Sequence, residues 1–98
     1  MKTRCLVVDD EPPARELLIS YISRLDNFEV VLQFNNAIDT FNYLQKNSVD
    51  LLFLDIQMPE KNGFQLLEML DSVPLVVFTT AYDEFALKAF EVNALDYL

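Results

Sequence analysis

Leu51-Leu52-Phe53-Leu54-Asp55 is a run of four apolar residues with no polar alternation, closed by a single acid. An unbroken apolar run of this length suits a strand buried on both faces, as in a parallel sheet sandwiched by helices. Outward from it, similar runs recur at Cys5–Val8, Val30–Phe34 and Leu75–Phe78, and another begins at Leu95. Val7-Val8, Val30-Val31 and Val76-Val77 add the β-branched character that strands favour. Helical periods lie between the runs. Ala14, Leu17, Leu18, Tyr21, Ile22 and Leu25 follow i, i+3, i+4 spacing after Pro12-Pro13, which suits a first turn whose N–H groups lack helical partners. Ala37, Phe41 and Leu44 mark a second helix, and Phe64, Leu67 and Leu70 a third after Asn62-Gly63. A fourth spans Asp83 to Val92, with Phe85, Ala86, Ala89 and Phe90 on one side. Strand and helix in turn give βαβαβαβαβ, an α/β fold with a parallel sheet and helices on both faces. No helix follows the last run, so uncovered apolar sheet surface and a fragment of a longer protein are expected.

The composition narrows the chemistry. At 98 residues the chain is one domain, 1–98, and 52% apolar residues suffice for a core. Without histidine there is no His-containing triad and no His-based zinc site. One glycine, Gly63, excludes a Gly-rich phosphate-cradling loop. One cysteine, Cys5, excludes an internal disulfide and fits a reducing compartment such as the cytoplasm. It opens a buried strand and reads as inert packing. Sixteen Asp and Glu against seven Lys and Arg give a net charge of −9, which argues against direct nucleic-acid binding. No apolar run approaches the roughly 18 residues of a membrane span. The chemistry therefore falls to carboxylates.

Asp9-Asp10-Glu11 follows the first strand and Asp55 the third. Ligands of open parallel sheets bind beyond the carboxyl ends of strands, where the strand order reverses. If the first and third strands are neighbours, Asp9, Asp10 and Asp55 converge there. Packed carboxylates resist ionisation, and a hard divalent cation such as Mg2+ relieves them. The alternative is that these acids are solvated loop residues, which suffices for Glu11 near a helix N-terminus. Asp55 could also attack phosphorus to form an aspartyl-phosphate. Thr79-Thr80 ends the fourth strand within reach of the same crevice, although threonine there also serves as a turn or capping residue.

Val7-Val8-Asp9-Asp10-Glu11, Asp55-Ile56-Gln57-Met58-Pro59 with Gly63 following, Thr80-Ala81 and Ala94-Leu95-Asp96-Tyr97 together resemble the receiver domain of two-component response regulators, over essentially the whole chain. Asp9-Asp10-Glu11-Pro12-Pro13-Ala14-Arg15 and Ala81-Tyr82-Asp83-Glu84-Phe85-Ala86-Leu87-Lys88-Ala89-Phe90 look like its LytTR-type (LytR/AlgR) group, in which a C-terminal DNA-binding domain follows. The resemblance implies a flavodoxin-like doubly wound sheet of order 2-1-3-4-5, incomplete at its C-terminus here, and no DNA-binding domain within this chain. It implies Asp55 as phosphoacceptor from a sensor histidine kinase, and Mg2+ held by Asp10, Asp55 and the Gln57 backbone carbonyl, with Asp9 acting through water. It further implies that Thr80 and the Ala81 N–H contact the phosphoryl group and that Tyr97 is the switch aromatic. Met58-Pro59 and Gly63 would shape the loop, while Gln57 and Tyr82 sit where members tune phosphate lifetime. The family's lysine would fall just beyond Leu98, and Lys88 lies within the fourth helix and is no substitute. Metal binding is therefore expected to survive in this chain, with phosphorylation and switching impaired.

Three functions stay open on the residues. One is a phosphoryl-accepting switch that drives a transcriptional output domain in a parent protein. Another is a Mg2+-dependent phosphatase with an aspartyl nucleophile, against which Gln57 counts, because such enzymes carry a second Asp there. The third is an interaction module with a vestigial crevice. A homodimer is expected, either through the fourth helix and fifth strand or by exchange of elements.

Overall fold

A computed structural model describes residues 2–79 and 96–97. The elements run β1 (Thr3–Val8), α1 (Pro12–Ile22), β2 (Phe28–Phe34), α2 (Ala37–Lys46), β3 (Leu51–Leu54), α3 (Gly63–Met69), β4 (Leu75–Phe78) and β5 (Asp96–Tyr97). The strands form one sheet of order β2-β1-β3-β4-β5, with every neighbouring pair parallel. The pattern implied a parallel α/β sheet, and the flavodoxin-like order is the one the resemblance implied. The expected helix at 83–92, together with Thr80, Ala81 and Tyr82, lies outside the described residues. So does the Tyr97 side chain, although the Tyr97 backbone pairs with Phe78.

Alternation along the strands divides the core. Leu6, Val8, Leu52, Leu54, Val76 and Phe78 point to one face and pack with Ile56, Phe64, Leu66 and Leu67 from the α3 region. Cys5, Leu51 and Val77 lie on the other face with Phe28 and Phe53. Each large side chain removed from water contributes about 1.5–3 kcal/mol, so β1 and β3 are the most strongly anchored strands. The Cys5 thiol is buried, and that burial raises its pKa, in keeping with an unreactive packing residue.

Side-chain caps set two of the helix starts. The Asn36 side chain accepts from the Asp39 N–H at 2.8 Å, and buried Thr40 donates its hydroxyl to the Asn36 carbonyl at 2.8 Å. Asn62 and Gln65 form a reciprocal capping box at α3. At α1, Glu11 is the N-cap without a side-chain bond, and Pro12-Pro13 fill the first turn.

The pattern misled in two places. β2 is an edge strand, and Leu32 is exposed, so its apolar run does not mean burial on both faces. The first helix ends at Ile22 rather than reaching Leu25, with Ser23 N–H closing on the Ile19 carbonyl. Ile22 is buried, whereas Leu17, Tyr21 and Leu25 are 50–55% exposed. The apolar stripe is wider than the surface that β1 and β2 offer it.

Candidate functional site

Strand register creates the site. Val8 pairs with Leu54 and Leu54 with Phe78, so the next residues, Asp9, Asp55 and Thr79, emerge side by side at one edge. The ladder runs one step further. Asp9 N–H donates to the Phe34 carbonyl (3.1 Å), Asp55 N–H to the Val8 carbonyl (2.9 Å) and Thr79 N–H to the Leu54 carbonyl (3.0 Å). These bonds fix the three backbones where the strand order reverses, the usual ligand crevice of such sheets.

Asp9, Asp10 and Asp55 meet there, each with a carboxylate oxygen within 4.8 Å of the others. Asp9 is buried, while Asp10 and Asp55 are half-buried. Asp9 Oδ1 accepts the Glu11 N–H at 2.9 Å, and Asp55 Oδ1 accepts the Gln57 N–H at 3.3 Å. Burial, followed by the charge of Asp9, pushes the Asp55 carboxyl up to about 7. Burial is also the main cause that raises Asp9.

Oxygen ligands of octahedral Mg2+ lie roughly 2.9–4.2 Å apart, from bond lengths near 2.0–2.1 Å. The three acids bring their oxygens to within 4.8 Å of one another, and an all-oxygen donor set is the chemistry Mg2+ takes. The residues fit the ion. Gln57 has an exposed side chain, and with Asp10, Ile56, Met58 and Asn62 it lines a crevice beside the acids.

Gly63 holds the floor of the site. A Cβ there would stand 2.8 Å from the Asp55 carbonyl oxygen and 3.1 Å from Ile56 Cα, and neither backbone atom can rotate away. Its N–H donates to the Ile56 carbonyl at 2.8 Å, clamping α3 to the end of β3. Gly63→Ala is expected to cost about 1–3 kcal/mol in urea unfolding. An unchanged midpoint would show that α3 shifts freely. Glu60, in the same loop, takes a left-handed backbone with φ 67°.

The raised Asp55 pKa has a consequence for stability. The unfolded carboxyl protonates near 4 and the folded one near 7, so the folded state holds the extra proton between those values. This contribution is full below about pH 4, falls as pH rises to about 7 and is then lost. Partial exposure screens it, leaving about 1–2 kcal/mol. Without metal, the domain is expected to unfold at lower urea at pH 8 than at pH 5.5, with Mg2+ restoring the midpoint at pH 8. Equal metal-free midpoints would contradict the cause assigned to the shift.

The sequence-selected acids are thus brought together. Thr80 and Ala81 lie outside the described residues. Composition gave no reason to single out Arg15 and Gln33, which brace the acidic loop. Thr79, beside the acids, has a buried hydroxyl oxygen with no hydrogen-bond partner among the described residues.

This fold with acids at its switch point accords with the response regulator receiver domain, whose family description matches residues 5–98; the chain belongs to that family. It is 46% identical over 97 residues to an uncharacterized response regulatory protein of Yersinia pestis, covering 97% of this chain and 41% of that protein. It is 45% identical to the transcriptional regulatory protein BtsR of Escherichia coli (strain K12), with the same coverage. The chain spans about two fifths of the length of these curated relatives. Among solved structures, the response regulatory domain of protein mrkE from Klebsiella pneumoniae superposes with a TM-score of 0.89 at 36% identity, covering 97% of this chain and 80% of that one. A chain in the crystal structure of the P1 domain of CheA3 in complex with CheY6 from R. sphaeroides is also similar (TM-score 0.82, 27% identity, 98% of this chain and 80% of that one covered). Among the described residues no helix is long and apolar enough to cross a membrane.

Proposed function

We propose that Asp55 is the phosphoacceptor of a two-component response regulator, loaded from a phosphohistidine on a sensor kinase in the cytoplasm. The observation that carries this is the meeting of Asp9, Asp10 and Asp55 at the C-terminal ends of β1 and β3. One Asp55 oxygen attacks phosphorus as the P–N bond breaks, and the imidazole leaves with the electron pair and takes up a proton. Asp10, Asp55 and the Gln57 carbonyl would hold Mg2+, with Asp9 acting through water. The ion supplies charge neutralisation on the phosphoryl oxygens. With its charge balanced in this way, the ionised Asp55 carboxylate would be the nucleophile at neutral pH. Thr80 and the Ala81 N–H would receive the remaining oxygens, and Tyr97 would answer as the switch aromatic.

The CheA3–CheY6 complex supports a histidine-kinase partner, and the regulators among the relatives support a transcriptional output domain in the parent protein, of the LytTR type by the motifs above. Two copies would meet through the expected fourth helix and the fifth strand, or by exchange of elements. The test is phosphotransfer from a phosphorylated histidine domain in Mg2+ to the full-length parent protein, which supplies the family lysine, with the modified residue located by mass spectrometry. Phosphate on Asp55 supports the reading, and phosphate elsewhere or none overturns it.

A further inference from the structure

The loop bearing Asp9 and Asp10 is held from outside the acid cluster. Arg15, in the second turn of α1 and half-buried, donates from Nη1 to the Asp9 carbonyl oxygen at 2.8 Å. Its Nε donates to Gln33 Oε1 on β2 at 3.0 Å. Gln33 pairs with Val7, two residues before Asp9, so the guanidinium spans from the edge strand to the peptide joining Asp9 and Asp10. That peptide carries no other described bond on its carbonyl, and its plane sets where the Asp10 side chain leaves the backbone. A guanidinium offers several donors in a rigid fork, whereas an ammonium is a point charge that cannot reproduce both bonds at fixed angles.

We propose that Arg15, braced by Gln33, is a positioning residue that orients the Asp9–Asp10 peptide so that the Asp10 carboxylate faces the cation. This deepens the phosphoacceptor reading and rests on it. Arg15 touches neither phosphate nor metal in this account. It acts through the main chain.

Charge and positioning predict opposite signs, which makes the inference testable. Removing a cation beside three acids should strengthen Mg2+ binding if Arg15 matters only by its charge. Loss of orientation should weaken it by roughly 10-fold or more, the scale on which outer partners of metal ligands act. Calorimetric titration of Mg2+ into wild type, Arg15→Ala, Arg15→Lys and Gln33→Ala, each below its unfolding temperature, separates the two. Positioning predicts weaker binding in all three variants, with Arg15→Lys failing to rescue and Gln33→Ala least affected. Tighter binding in Arg15→Ala, or wild-type affinity in Arg15→Lys, overturns it while leaving the phosphoacceptor reading intact. If the wild type itself binds no Mg2+, that reading fails and this inference falls with it.

Discussion

Asp55→Asn is expected to act in opposite directions on stability and on function. An amide is no nucleophile toward phosphorus, so in the full-length parent protein phosphate incorporation should drop to background, a loss of at least about 100-fold. In EDTA at pH 8 the same change removes a charge that burial and Asp9 disfavour. The metal-free fold should therefore gain stability, about 1–2 kcal/mol after allowing for solvent screening. In a domain of this size that raises the unfolding midpoint by about 4–8 °C per kcal/mol. At pH 5.5, where wild-type Asp55 is already protonated, the gain should shrink. Differential scanning calorimetry at both pH values reads the stability arm. A destabilised Asp55→Asn at pH 8 would mean that Asp55 makes a favourable bond outweighing its burial, and the charge-crowding account would fail.

Asp10→Ala is expected to produce the largest loss of metal affinity. Asp10 is half-buried in the cluster and, unlike Asp9, makes no described side-chain bond with the backbone, so its carboxylate is free for a ligand. Mutation of an outer partner typically costs about 10- to 100-fold in metal affinity, and loss of a direct ligand should cost no less. Asp9→Ala should lose less affinity but more stability, because Asp9 Oδ1 closes the turn at Glu11. Calorimetric Mg2+ titration and urea unfolding of the two variants check this division. Equal affinity losses would mean that Asp9 also touches the ion directly.

The order of elements and the placing of acids after two strand runs were legible in the sequence because both follow from short-range pattern. The meeting of those acids rests instead on the strand order that the family resemblance implied. Unbroken apolar runs mark strands, and each run at 5–8, 51–54 and 75–78 ends at a residue of the crevice. Burial was less legible. The apolar run at 30–34 looks like that at 51–54, yet β2 is an edge strand, and strand order depends on long-range pairing that no local window encodes. Leu17, Tyr21 and Leu25 have perfect helical spacing, but where the helix docks decides which side is covered. Nothing in Pro59-Glu60-Lys61-Asn62 marks Glu60 as the left-handed residue, a role composition would assign to asparagine or glycine. Arg15 and Gln33 stand 18 positions apart, and their bond becomes visible only when α1 lies against β2.

The central claim is spatial: the acids after β1 and β3 hold one cation beside Asp55. Anomalous diffraction from crystals of this chain soaked in Mn2+, which takes the same oxygen donors as Mg2+, tests it directly. The account predicts one strong peak within coordination distance of Asp10, Asp55 and the Gln57 carbonyl oxygen. A peak bound elsewhere, or no peak at a Mn2+ concentration that saturates a receiver of established metal affinity, would contradict it.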